Sequence, residues 1–160
     1  MTVREELLGA NDRYAGAFDK GELGAPPARR FAVVTCMDAR LDPARFLGLE
    51  EGDAHVIRNA GGLVTDDALR SLVISHHELG TQEVFVIGHE GCGMIGLSNE
   101  HMREKLGTAA ADVDFLGFAD LDEAVRGSVR KVQESPFLPT SFGATGFVYD
   151  VRSGRLRQVT

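Results

Sequence analysis

Residues 84–96, VFVIGHEGCGMIG, carry two signatures at once. The run VFVI is short, apolar and rich in β-branched residues, and a glycine comes directly after it, as when a buried strand breaks into a turn. Beyond it, Gly91-Cys92-Gly93-Met94-Ile95-Gly96 spells G-x-G-x-x-G, the outline of a dinucleotide-binding turn. His89-x-x-Cys92 is equally half of a metal site, because imidazole and thiolate are the ligands that zinc prefers. The strand places the segment in an alternating α/β chain; the residues just past the strand decide the chemistry.

Working outward, RFAVVTC (30–36) reads as a second buried strand and DAHVIRNAGG (53–62) contains a third, ending at Gly61-Gly62. TDDALRSLVISHHELG (65–80) has helix grammar: Thr65 as N-cap, two acids in the first turn, and a stripe of Leu69, Leu72, Val73, His76 and Leu79. SNEHMREKLG (98–107) and DLDEAVRGSVRKVQES (120–135) read as further helices, the second with Asp120 and Glu123 at capping spacing. TGFVYDVRSGRLRQVT (145–160) reads as a hairpin around Ser153-Gly154. The expected fold is α/β, a mainly parallel central sheet flanked by helices with an antiparallel C-terminal edge strand. Before the first strand, Thr2-x-x-Glu5 opens a helix whose Leu7 and Tyr14 share a side with Phe18, and the linker GELGAPPARR (21–30) separates it from the main body.

In parallel sheets, ligands bind beyond the carboxyl ends of strands. Cys36 ends one strand, Gly61-Gly62 another and His89 a third, so unusual residues converge on one edge. The dinucleotide reading fares poorly there. Its glycines lie several residues past the strand core, no clear second strand with a ribose-binding acid comes after them, and 19 glycines make a chance match easy. The metal reading gains a third ligand, Cys36, and leaves a fourth position open for water. Just past Cys36, Asp38 and Arg40 are spaced for a bidentate pair that would keep the carboxylate ionised beside the metal. His76 lies on an apolar stripe and reads as a packed, hydrogen-bonded residue, although it or His77 could relay protons. His55 and His101 carry no contextual signal, and 107–120 reads as a long loop near the site.

Composition narrows the class. The chain has 160 residues, 43% of them hydrophobic, enough for a core without staples. Its formal net charge of −7 argues against nucleic acid as partner, and no polybasic run suggests a membrane surface. No apolar run approaches membrane-spanning length and the first residues lack a secretory pattern, so the expected location is cytoplasmic. The cysteines, Cys36 and Cys92, do not suggest a disulfide framework.

CMDAR (36–40) together with HEGC (89–92) resembles the β-class carbonic anhydrases, whose pattern is Cys-x-Asp-x-Arg and, farther on, His-x-x-Cys. The resemblance runs from Arg30 through VIRNAGG to the terminal GFVYDVRSGRL, and the wording CMDARLDP is similar to a compact bacterial branch that includes carbonyl sulfide hydrolases. It implies a single domain over 1–160, with 1–24 as an N-terminal helical arm. It implies Zn²⁺ on Cys36, His89 and Cys92, and reversible hydration of carbon dioxide to bicarbonate by hydroxide at the fourth position. Asp38 would orient that hydroxide, Arg40 would hold Asp38, and the turn at Gly62 would border the substrate. The implied partners are this small-molecule substrate, with carbonyl sulfide as an alternative, and a second copy in a homodimer or higher homo-oligomer. Many relatives carry a glutamine before the first strand, where this chain reads APPARR, and a less polar pocket could favour sulfur substrates. Carbonyl sulfide or carbon disulfide hydrolysis at the same zinc is therefore one alternative. A non-catalytic zinc-binding or redox-sensing protein is another.

Overall fold

The computed structural model describes residues 1–160. In chain order the elements are α1 (Val3–Ala15), β1 (Phe31–Cys36), α2 (Pro43–Leu47), β2 (Ala54–Asn59), α3 (Asp66–His77), β3 (Glu83–His89), α4 (Asn99–Leu106), α5 (Leu121–Gln133), β4 (Gly143–Tyr149) and β5 (Leu156–Gln158). The sheet order is β2-β1-β3-β4-β5. The first four strands are parallel, and β5 pairs antiparallel with β4 at the edge, as the sequence pattern predicts. No helix is long and apolar enough to cross a membrane.

All six residues of β1 are buried, because this strand sits between two neighbours and is covered on both faces. Alternation divides its side chains. Ala32 and Val34 join Val84 and Val86 of β3 in the larger core, under Leu72 of α3 and Val125, Val129 and Val132 of α5. Phe31, Val33 and Ile87 point to the other face, where Phe46 and Leu47 of α2 pack on them. Hydrophobic periodicity does not predict helix α2, although its capping signals are in the sequence: Asp42 accepts from the Arg45 N–H, Pro43 takes the first turn and Gly48 closes the helix at φ 62°. Residues 107–110 form a 3₁₀ turn rather than plain loop, and the segment after it returns to pair Phe118 with Ile95.

Helix α5 packs directly on strand glycines. A β-carbon on Gly146 would sit 2.7 Å from Val125 Cγ1, and one on Gly88 would sit 2.8 Å from Val125 Cγ2. Two strand glycines thus form the hollow that receives Val125. Such a fit leaves little room for an added methyl, because packed interiors relax only partly. Gly146→Ala should lower stability by about 1–3 kcal/mol, measured by denaturant unfolding. Combined with Val125→Ala it should cost clearly less than the two single changes added together; strict additivity would show that the two residues do not meet.

Candidate metal centre

The parallel sheet sets the site at its carboxyl edge. Cys36 is the last residue of β1 and His89 the last of β3, so neighbouring strands deliver a thiol and an imidazole side by side. The turn after β3 swings Cys92 back beneath them. All three side chains are buried, and their ligand atoms lie within 4.8 Å of one another. The two Sγ atoms are 3.9 Å apart.

The decisive atom is Nε2 of His89. Its partner nitrogen Nδ1 donates to the carbonyl of Glu90 at 3.0 Å, which leaves Nε2 with a lone pair. His89 is 0% exposed, and Nε2 is the one buried side-chain nitrogen or oxygen that makes no hydrogen bond. An orphaned buried acceptor is costly unless something fills its need. A cation between Nε2 and the two sulfurs would do so, and the S₂N donor set suits a soft or borderline metal with one position left open. Burial pushes the Cys92 thiol above its ordinary range, with a smaller contribution from Cys36, so a metal must displace a proton to bind there.

Asp38 stands at the rim of this cluster, Oδ2 3.8 Å from His89 Nε2. Arg40 holds it from three directions: Nε and the backbone N–H each reach Oδ1 at 2.9 Å, and Nη2 reaches Oδ2 at 2.7 Å. Nη2 also donates to the carbonyl of Gly91 at 3.0 Å, which ties the pair to the turn that carries Cys92. These hydrogen bonds from Arg40 keep the Asp38 carboxyl well below the usual carboxylate range. Asp38 is therefore an ionised acceptor with fixed orientation.

Arg58, within the stretch VIRNAGG, braces both halves. Its Nε donates to the Cys36 carbonyl at 3.0 Å and its Nη2 to the Asp38 carbonyl at 2.8 Å. The sequence assigns it no role, and its position at a strand end is the one signal it carries there. Gly62 packs under the same segment: it has φ 66°, and a β-carbon there would lie 2.8 Å from the Cys36 backbone nitrogen. Leu41, Phe46, Met94 and Phe118 surround the cysteines with apolar surface. The remaining histidines lie elsewhere. His76 Nδ1 donates to the Thr81 carbonyl at 2.7 Å, and its ring meets the Phe142 ring edge-on. Thr81 precedes β3, so His76 sits at the opposite end of the sheet from His89, and a proton relay through it finds no support.

Comparison with known proteins agrees with this geometry. The sequence model described as carbonic anhydrase matches residues 31–116, more than half of the chain. The chain belongs to the β-carbonic anhydrase family. It is 42% identical to Beta-carbonic anhydrase 1 of Mycobacterium tuberculosis, with 100% of this chain and 99% of that protein aligned. A crystal structure of carbonic anhydrase from Streptococcus mutans superposes with a TM-score of 0.93 at 43% identity, covering 100% of this chain and 99% of that one. A carbon disulfide hydrolase from Acidithiobacillus thiooxidans is 33% identical, over 98% of this chain and 90% of its own length. This β-carbonic anhydrase family member is thus an enzyme with a Cys-His-Cys group able to hold a metal.

Purified protein should carry about one metal ion per chain, and cobalt substitution should give the charge-transfer bands of thiolate ligation. His89→Ala and Cys92→Ala should each abolish metal retention, whereas Asp38→Asn should keep it. Gly62→Ala should weaken metal retention by displacing Cys36, measured by competition with a chromogenic chelator.

Proposed function

We propose that this chain is a cytoplasmic zinc enzyme that interconverts carbon dioxide and bicarbonate. The observation that carries the reading is the orphaned Nε2 of His89, grouped with two thiols and set 3.8 Å from an ionised Asp38. Zinc held by Cys36, His89 and Cys92 would supply a Lewis acid that makes water nucleophilic near neutral pH. The protein's own groups do the rest. Asp38, an acceptor already ionised and locked by Arg40, holds the proton of the attacking water's O–H and so aims its lone pair away from itself. Met94 and Phe118 keep the neighbouring surface apolar, which suits a linear, uncharged substrate and excludes bulk water. In this reading the Gly62 turn, packed against Cys36, would border the substrate. A reduced compartment suits two thiolate ligands.

We further propose a homo-oligomer in which residues 1–24 act as an arm. Helix α1 buries nothing: Leu7, Leu8 and Tyr14 are each at least half exposed, and the arm is tied to the body through Tyr14 and Lys20, both on Glu51. A second copy is the natural cover for that stripe.

Carbon disulfide or carbonyl sulfide hydrolysis at the same site is a second reading. The apolar wall and the 33% identical relative favour it; the closer full-length relatives favour carbon dioxide. Stopped-flow hydration of carbon dioxide, run beside sulfide release from carbon disulfide on the same zinc-loaded sample, separates them. Asp38→Asn should lower hydration kcat by about 10²-fold or more with metal content unchanged. Fast sulfide release with no hydration would overturn the primary reading.

A further inference from the structure

An open cleft of about 750 Å³ lies between the β4–β5 hairpin and the turn after β3, with Arg40 in its wall. Its charge is at odds with the chain as a whole. The protein carries a net −7, yet four arginines, Arg40, Arg152, Arg155 and Arg157, line this one cleft against two acids, Glu90 and Asp150.

Both acids are already committed. Asp150 accepts from Ser153 Oγ at 2.6 Å and from the Arg152 backbone N–H at 2.9 Å, which hold it ionised and fix the hairpin turn. Glu90 faces Arg157 at 3.8 Å, and Arg157 is gripped in turn by Asp122 through two bonds of 2.8 and 2.9 Å. The guanidinium groups of Arg152 and Arg155, by contrast, make no ion pair and no hydrogen bond. Arg40 spends Nε and Nη2 on Asp38 and Gly91, and its Nη1 is unengaged. The cleft therefore presents two free guanidinium groups from a hairpin turn whose shape is fixed by Asp150, and beside them the unengaged Nη1 of Arg40.

We infer that this hairpin cleft is a binding site for a phosphate group, on a small molecule or as inorganic phosphate. Planar guanidinium forks match tetrahedral oxyanions in pairs, and a dianion gains from several at once. The volume accommodates more than a bare ion. Arg40 supplies the one side chain shared with the metal centre. An occupant that engages Nη1 draws the guanidinium outward and loosens its hold on Asp38, so occupancy slows turnover. That coupling rests on the proposed function; the binding itself does not.

The test is isothermal titration of the metal-loaded protein with phosphate, pyrophosphate and AMP. Arg152→Ala/Arg155→Ala, both exposed positions, serves as the variant, with circular dichroism to check folding. Wild type should bind at least one of the three, and the double variant should bind it about tenfold more weakly or worse. Tighter binding of AMP than of phosphate points to a phosphorylated small molecule, and the reverse to the free ion. Phosphate captured by the metal instead would bind wild type and variant alike, and that result overturns the site. So does wild type that binds none of the three more tightly than about 10 mM. In hydration assays the same ligand should lower wild-type kcat and leave the double variant untouched. A protein that binds the ligand through Arg152 and Arg155 but never hydrates carbon dioxide would refute the proposed function and leave this site standing.

Discussion

Inside the sheet, the pairing of β1 with β3 carries the site, and one buried hydroxyl joins the backbone ladder in holding it. Thr35 Oγ1, fully buried on β1, donates to the Ile87 carbonyl of β3 at 2.8 Å, one residue before Cys36 and two before His89. A slip of one residue in this pairing would turn every side chain to the other face. Cys36 and His89 would then no longer share an edge position. The hydrogen bond contributes only about 1 kcal/mol on its own, but it joins the apolar alternation of Val33, Val34, Val86 and Ile87 in specifying a single register. The metal centre is thus a consequence of strand pairing before it is a consequence of the ligands.

Around that edge, the environment is divided. The interior side is apolar, with Leu41, Phe46, Met94 and Phe118 about the sulfurs. The outer side is an arginine scaffold: Arg58 grips the Cys36 and Asp38 carbonyls, and Arg40 grips Asp38 and Gly91. Low polarity strengthens the interactions of whatever charge is placed in the cluster, while the arginines tie the surrounding loops to one another. The arginine hydrogen bonds and the apolar floor together make Asp38 an oriented acceptor rather than an ordinary surface carboxylate, for which an ion pair would do little.

Much of this was legible from residue order. The strands betrayed themselves as short β-branched runs, and the three members of the Cys-His-Cys group stood at or just past their ends. The Asp38–Arg40 pairing came from a two-residue spacing that a turn can close. Less was legible where the signal lay in space rather than in sequence. Helix α2 is only five residues long, too short for a periodic stripe, so its caps were its whole signature. Arg58 looks like any arginine at a strand end until β1 is laid beside β2 and the Cys36 and Asp38 carbonyls come within its reach. Gly62 suggested a turn, but its contact with the Cys36 backbone needs the same juxtaposition. The apolar stripe of α3 placed His76 among packed residues, as observed; its distance from His89 is set by the direction of the strands, which no local pattern encodes.

The hydrogen bond that sets the tautomer of His89 comes from the backbone of the very next residue, and that peptide is itself pinned because the Glu90 N–H donates to the Tyr149 carbonyl at 2.9 Å. Metal-binding histidines commonly depend on a carboxylate or carbonyl supplied from elsewhere in the fold. Here no distant side chain has to be kept for the imidazole to present the correct nitrogen. Residue 90 can drift to almost any identity without disturbing it, since every amino acid carries the same carbonyl. The ligand travels with its own orienting group, so the centre has fewer ways to be lost as the surrounding sequence changes.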